Sequence, residues 1–191
     1  MYLVRPPYLL KAIYPNAIWR KETNNKEIYL TFDDGPIPEV TPWVLALLKE
    51  QNIKATFFCV GKNIKAYPDL FKSILAEGHS VGNHTFNHLN GWNSDTTKYF
   101  KSINECKNVM DEFTPSSVTE NNRMLPLFRP PYGKMKRTQY SILQKHYSIV
   151  MWDVLSADYD LNTTPEQCLN NVLQNIRNGS VVLFHDSIKA Q

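Results

Sequence analysis

The sequence predicts a single-domain α/β fold with a mainly parallel sheet, and two observations carry that prediction. Short β-prone runs alternate with helical patterns from Ile28 to Phe184, the arrangement expected of successive βα units. Five of the predicted strands are also followed by polar clusters: Asp33-Asp34, His84…His88, Arg129–Tyr132, Asp153…Asp158 and His185-Asp186. Side chains at the carboxyl ends of parallel strands converge on one face, where α/β proteins collect ligands and catalytic groups. No internal repeat or linker interrupts the pattern, and 191 residues suit one domain with a substantial core. Pattern alone does not separate a barrel from an open sheet.

Residues 1–27, interrupted by Pro and Asn, read as an irregular N-terminal arm preceding a domain of residues 28–191. Ile28–Phe32 is a first strand, and the apolar run ends in two acids and the breaker Gly35-Pro36. A helix follows from about Pro38 to Glu50, with Val40, Val44, Leu47 and Leu48 on one face. Ala55–Val60 is a continuous β-prone run ended by Gly61, as for a strand buried on both faces. Pro68 opens a second helix that Gly78 stops, and His79–Asn83 is a short strand leading to His84. The third helix, roughly Ser94–Glu112, carries Tyr99, Ile103, Cys106 and Met110 at helical spacing. Thr114–Arg123 reads as a polar loop, and Leu125–Phe128 as a strand running into Arg129–Gly133. Arg137–His146 is a helix, and Tyr147–Trp152 a strand that ends at Asp153. Thr164-Pro165 starts a helix with Leu169, Val172, Leu173 and Ile176, which Gly179 closes before the last strand, Ser180–Phe184.

Composition narrows the function classes. The chain is 42% hydrophobic and 20% charged, ordinary for a soluble globular protein. A net charge of +3 without a Lys/Arg block gives no argument for a nucleic-acid partner. Cys59, Cys106 and Cys168 are odd in number and lack CxxC spacing, so they read as reduced, buried thiols rather than a disulfide framework or thiolate zinc site. No stretch approaches a membrane span, and Pro6, Pro7 and Pro15 break Met1–Trp19. With no signal-peptide pattern, the expected location is the cytoplasm. No obligate protein partner is evident.

The adjacent carboxylates of Asp33 and Asp34 repel each other. A fold that holds them together supplies a cation or a shared proton; alternatively, the pair caps the next helix. His84 and His88 stand at i and i+4, so one helical turn would put both imidazoles on one side, close enough to share a metal. That spacing alone also suits two capping or surface histidines. Beside a paired-carboxylate turn it completes a His₂-carboxylate set, which leaves coordination positions for water and substrate as catalytic zinc sites do. His79 and His146 lack such company and read as structural or exposed.

Five motifs in order now resemble a known family. Thr31–Pro36 is similar to TFDDGP, His84–His88 to H[ST]xxH, and Arg129–Gly133 to RxPYG. Asp158-Tyr159 is similar to the end of DxxDW, and Leu183-Phe184-His185 to LxH. Together they resemble the polysaccharide deacetylases with a NodB homology domain (carbohydrate esterase family 4), over about Ile28–Ser187. The resemblance implies a distorted, incomplete (β/α)7-type barrel that removes acetyl groups from an N-acetylated glycan. Asp34, His84 and His88 would bind one divalent metal, with Zn2+ expected and Co2+, Ni2+ or Fe2+ admitted by the same ligands. Asp33 would be the general base, and Arg129 would orient it and balance its charge. Tyr132, through its backbone N–H, and Pro131 would form the oxyanion and substrate wall. His185 would protonate the departing amine, with Asp158 holding that imidazole charged and oriented. Leu183 and Tyr159 would line the acetyl-methyl pocket. The string Arg5-Pro6-Pro7-Tyr8 repeats RPPY but lacks the Gly and precedes the core.

Three departures stand out. Leu155 occupies the first Asp position of DxxDW, which would shift the tuning of the acid side onto Asp158 or Asp153. Tyr159 replaces its Trp, keeping an aromatic wall while adding a hydroxyl. The sequence ends six residues after His185, where relatives continue into a further helix, so the barrel is left open or the helix is missing. Two rival readings are a deacylase of a small-molecule amide on the same barrel and a glycan-binding pseudoenzyme. Retention of every ligand, base and acid position argues against the second.

Overall fold

A computed structural model describes residues 3–114 and 125–190. Apart from Thr114 itself, the expected loop to Arg123 lies outside the described residues. Seven strands form one all-parallel sheet: β1 (Tyr29–Asp33), β2 (Thr56–Cys59), β3 (Ser80–Asn83), β4 (Leu127–Phe128), β5 (Ser148–Ile149), β6 (Val154–Leu155) and β7 (Val181–His185). Their order is β5-β4-β3-β2-β1-β7-β6, which puts β1 at the centre between β2 and β7. Along β1, Thr31 pairs with Thr56 and Leu183, and Asp33 pairs with Phe58 and His185.

The predicted strand Tyr147–Trp152 is shorter, holding only β5 at Ser148–Ile149, and the unforeseen β6 follows it at the opposite edge of the sheet. The Val150 N–H donates to Phe128 O at 2.9 Å, continuing β5, and the Asp153 N–H donates to Val181 O at 2.9 Å, entering β6. Four residues, 150–153, therefore carry the chain from one edge of the sheet to the other. The sheet curls into the distorted, incomplete barrel that the motifs implied. The Val154-Leu155 strand is too short to leave a period in the sequence.

The helices are α1 (Tyr8–Ile13), α2 (Thr41–Glu50), α3 (Gly61–Ala66), α4 (Pro68–Ala76), α5 (Thr96–Phe113), α6 (Arg137–Leu143) and α7 (Pro165–Leu173). Gly78 stops α4 as expected, at φ 76, the left-handed conformation that ends helices at low cost with glycine; α7 already ends at Leu173, and Gly179, at φ 78, instead turns the chain before β7. Thr164 and Gln167 form a reciprocal capping box at the start of α7. Asp95 caps α5 through the Lys98 N–H. α3 was not foreseen because it starts at Gly61, directly after a strand, with no linker to announce it.

Two core-face expectations are corrected. The buried stripe of α2 is Thr41, Val44, Leu45 and Leu48, and Leu47 is exposed. On α7 only Val172 is buried, while Leu169 and Leu173 face outward. Both helices are single-sided, so residues a turn apart on paper fall off the narrow stripe facing the sheet. The arm is not irregular throughout. Besides α1, it places Tyr14 and Trp19 in the core beside Tyr140 and Met151, and bridges Ile18 to Val150 and Arg20 to Ser180.

Candidate active site

The carboxyl edges of β1, β3 and β7 and the loops that follow β4 and β6 meet above one end of the barrel. Successive residues on a strand point to opposite faces, so Asp34 would face away from Asp33 if β1 continued. Instead Asp34 sits at φ 83, and both carboxylates line the same cleft, whose volume is about 320 Å³. Asn63 Nδ2 donates to the Asp34 carbonyl at 2.7 Å, holding this turn from the α3 side.

His84 and His88 do meet, with ring centroids 5.0 Å apart, but through a loop and not through the expected helical turn. Thr85 and His88 adopt φ values of 63 and 52. Asn83 Oδ1 takes the Thr85 N–H, and Ser102 Oγ of α5 takes the Phe86 and Asn87 N–H groups. Those side-chain acceptors bind donors that a helix would otherwise need. His84 Nδ1 lies 2.8 Å from Arg129 O; a carbonyl only accepts, so this nitrogen carries the proton and Nε2 turns its lone pair to the cleft. Burial lowers the His84 pKa to about 4 despite Asp33 and Asp34 nearby, which keeps the ring neutral.

Arg129 is fully buried, and each of its three side-chain nitrogens donates a hydrogen bond. Its Nη1 donates to Asp33 Oδ1 at 2.7 Å and to Thr31 Oγ1 at 2.8 Å, its Nη2 to Met151 O at 2.8 Å, and its Nε to Val150 O at 3.2 Å. The guanidinium also rests 4.1 Å from the centre of the Phe58 ring. A buried charge persists when it is paired and hydrogen-bonded in this way. Arg129 stays beneath the cleft, so its influence passes through Asp33.

Across the cleft, His185 Nδ1 lies 2.7 Å from Asp158 Oδ1, while Asp158 Oδ2 accepts the His185 backbone N–H at 2.7 Å. Burial by itself lowers the His185 pKa, but the Asp158 hydrogen bond and charge, with help from Asp33 and Asp34, outweigh it and the net shift is upward. Tyr159 stands edge-on to the His185 ring at 5.1 Å. Leu183, Leu155 and Trp152 share the wall with Tyr159. Tyr132, at φ 60 and 59% exposed, sets its ring edge-on to His88 at 4.6 Å.

Pro131 is buried and does not line the cleft. Asp153 does not join the acid side. It binds Arg177 through both oxygens, accepts from Ser180 Oγ at 2.9 Å, and lies 3.5 Å from Lys11. It begins β6 instead of ending a strand, which puts it at the opposite end of the sheet. His79 is buried and accepts the Ala55 N–H, a structural role as expected. Sequence reasoning missed Trp152, Lys134 and Lys189 as cleft residues. Trp152 stood at a predicted strand end and was discoverable by position; the two lysines carry no such signal.

The residues present fit a metal ion. Ligand atoms of Asp34, His84 and His88 lie within 4.8 Å of one another. Asp34 Oδ1 is buried without an aligned hydrogen bond, although His88 Nε2 is 3.0 Å away and His84 Nε2 is 3.6 Å away. An orphaned carboxylate oxygen facing two imidazole nitrogens is the donor set of a Zn-type site. Burial works against its charge, yet the neighbouring imidazoles hold Asp34 below the usual carboxylate range.

Barrel and site together define a hydrolase with a candidate metal centre at the carboxyl ends of its strands. The polysaccharide deacetylase family model matches residues 20–148, and the chain belongs to that family. It is 36% identical over 182 residues to a peptidoglycan-N-acetylglucosamine deacetylase of Bacillus cereus, covering 93% of this chain and 82% of the relative. It is 33% identical to a chitooligosaccharide deacetylase of Azorhizobium caulinodans, covering 85% and 75%. Among solved structures, a peptidoglycan N-acetylglucosamine deacetylase bound to 4-naphthalen-1-yl-N-oxidanyl-benzamide superposes with a TM-score of 0.81 and 33% identity, covering 94% of this chain and 80% of that one.

Proposed function

We propose that this polysaccharide deacetylase is a metal-dependent hydrolase that removes the N-acetyl group from N-acetylglucosamine units of a peptidoglycan- or chitin-like glycan, releasing acetate. The observation that carries the reading is the convergence of the Asp34, His84 and His88 ligand atoms at one cleft, with the Asp33–Arg129 and His185–Asp158 pairs on either side. The names of the relatives support the substrate class. The ligand of the superposed structure is an N-hydroxyamide, a class that chelates metal ions, which supports a metal in the family's cleft.

Asp34, His84 and His88 would hold a divalent ion, with Zn2+ favoured by the ligand set. When bound, the ion supplies a Lewis acid for the amide carbonyl and lowers the pKa of water. Asp33 is the general base. Arg129 occupies its Oδ1, leaving Oδ2, which faces His84 Nε2 at 3.7 Å, to take a proton from the attacking water. The cationic His185 then gives its proton to the amine nitrogen as the C–N bond breaks, so water and amide become acetate and free amine. Asp158 fixes the proton on His185 Nδ1, which directs Nε2 to the leaving group. Leu183, Leu155, Trp152 and Tyr159 offer an apolar wall for the acetyl methyl, and Tyr132 offers an exposed ring to a sugar face.

The test is acetate release from N-acetylated chitooligosaccharides and peptidoglycan fragments by wild type and Asp33→Asn. The variant is expected to bind metal normally and to lose at least 10²-fold in kcat. Near-normal turnover in Asp33→Asn removes the assigned base, and no acetate from either glycan removes the substrate class.

A further inference from the structure

Asp33 and Asp34 serve one cleft only because the chain turns between them, and that turn is gripped from β7 by a buried carboxylate with no part in the chemistry above. Asp186 is 1% exposed. Its Oδ1 accepts the Gly35 N–H at 2.9 Å and its Oδ2 accepts the Thr41 hydroxyl at 2.7 Å. The buried Thr41, at the start of α2, in turn accepts the Ile37 N–H at 2.8 Å. The Asp186 backbone N–H donates to the Asp33 carbonyl at 3.0 Å. One residue thereby holds the chain on both sides of Asp34, which lies in the left-handed region that non-glycine residues rarely occupy. A Cβ on Gly35 would stand 1.9 Å from Asp186 Oδ2, so the glycine of this turn makes room for the carboxylate. Burying a carboxylate on neutral donors is unfavourable, and its persistence calls for a role.

We propose that Asp186, braced by Thr41, is a positioning residue that aims the Asp34 carboxylate at His84 and His88 and fixes the end of β1 beneath Asp33. The proposal rests on Asp34, His84 and His88 being metal ligands. Asp186 touches neither substrate nor metal and acts through the turn.

Metal affinity of the stripped protein, read by chelator competition with Zn2+ and Co2+, provides the test alongside kcat and KM at saturating metal. Asp186→Ala is expected to bind metal about 10- to 100-fold more weakly, the usual effect of losing an outer partner of a ligand, and to lose kcat with KM unchanged. Asp186→Asn, whose amide oxygen still accepts the Gly35 N–H, recovers most of both. A purely structural residue would lower the melting temperature while leaving metal affinity and kcat of the folded protein intact, and that result overturns the proposal. Should Asp186→Ala not fold, Thr41→Val decides in the same way: weakened metal binding supports the brace, and wild-type affinity and kcat overturn it. His88→Ala is the control. If it binds metal as wild type does, the metal assignment fails and takes this proposal with it; if only the Asp186 and Thr41 variants behave as wild type, the proposal alone fails.

Discussion

At the scale of single residues, the site works by giving each titratable group one partner that settles its role. His84 is tied to a carbonyl and stays neutral, fit to be a ligand; His185 is tied to Asp158, which favours its charged form, as an acid requires. The two imidazoles differ in environment more than in depth, since both are largely buried. A prediction follows for the pH profile. In the proposed mechanism His185 must be protonated to act, so activity should be lost as pH rises through its raised pKa. Asp158→Asn removes the hydrogen bond to a carboxylate and its charge, leaving the lowering effect of burial. The falling alkaline limb of kcat/KM should therefore move to lower pH, and an unmoved limb in that variant rejects His185 as the acid. For the ligands, His84→Ala and His88→Ala should lose metal and deacetylation together, read by metal analysis of the purified proteins. The residue types at these positions were legible in the sequence because carboxylates and imidazoles at strand ends have few other uses. Their backbone was not. The positive φ values of Asp34, Thr85 and His88 are imposed by side chains from distant elements, among them Asn63 and Ser102, and no local pattern announces such contacts.

Among the elements, the N-terminal arm does more than cover the barrel. Tyr14 is fully buried, donates its hydroxyl to Met135 O at 2.5 Å, and packs its ring 5.2 Å from Tyr140. Val4 accepts the Leu155 N–H at 2.9 Å and so extends pairing at the β6 edge. Ile18 lies against the crossing segment, donating to Ile149 O and accepting from the Met151 N–H, both at 2.8 Å. Tyr14→Ala should cost about 3–5 kcal/mol of unfolding free energy, as large-to-small aromatic changes in cores do, measured by urea denaturation. A loss below about 1 kcal/mol would mean that the arm packs without supporting the domain. Prolines and asparagines hid this element, because they mark broken periodicity and say nothing of what a broken segment packs against. The long helices were easier: α5 buries Tyr99, Ile103 and Cys106 as its spacing requires. The short strands β5 and β6 were overextended and missed, respectively, because two residues carry no period, and only their hydrogen-bond partners define them.

For the molecule as a whole, acid sensitivity should be built into the barrel's mouth. The His84 pKa is about 4 in the folded protein and near 6.5 when the chain is unfolded. Between those values the unfolded chain binds a proton on this ring that the folded one does not, so the His84 contribution to stability falls as pH drops through that window, while the buried Asp186 carboxyl, pushed up to about 7, works in the opposite direction. The loss from His84 alone in the metal-free protein is about 3 kcal/mol at the lower end, taking 1.36 kcal/mol per pH unit. Asp34, held below its ordinary range, continues the trend in the same direction at still lower pH. Urea midpoints of stripped protein at pH 7 and near pH 4.5 check this, and the slope should be shallower in His84→Asn. The same pH dependence in His84→Asn as in wild type would show that burial does not control the imidazole.

Strand order has a final consequence for synthesis. β1, made early, keeps one flank unpaired until β7 is translated some 150 positions later, because Tyr29 to Asp33 pair with Val181 to His185. Until then a nascent chain exposes the edge of what will be its middle strand, a template for association with other chains. A transcript cut before codon 181 would lose the proposed proton donor and leave that flank open, so its product should aggregate instead of accumulating as a weakened enzyme.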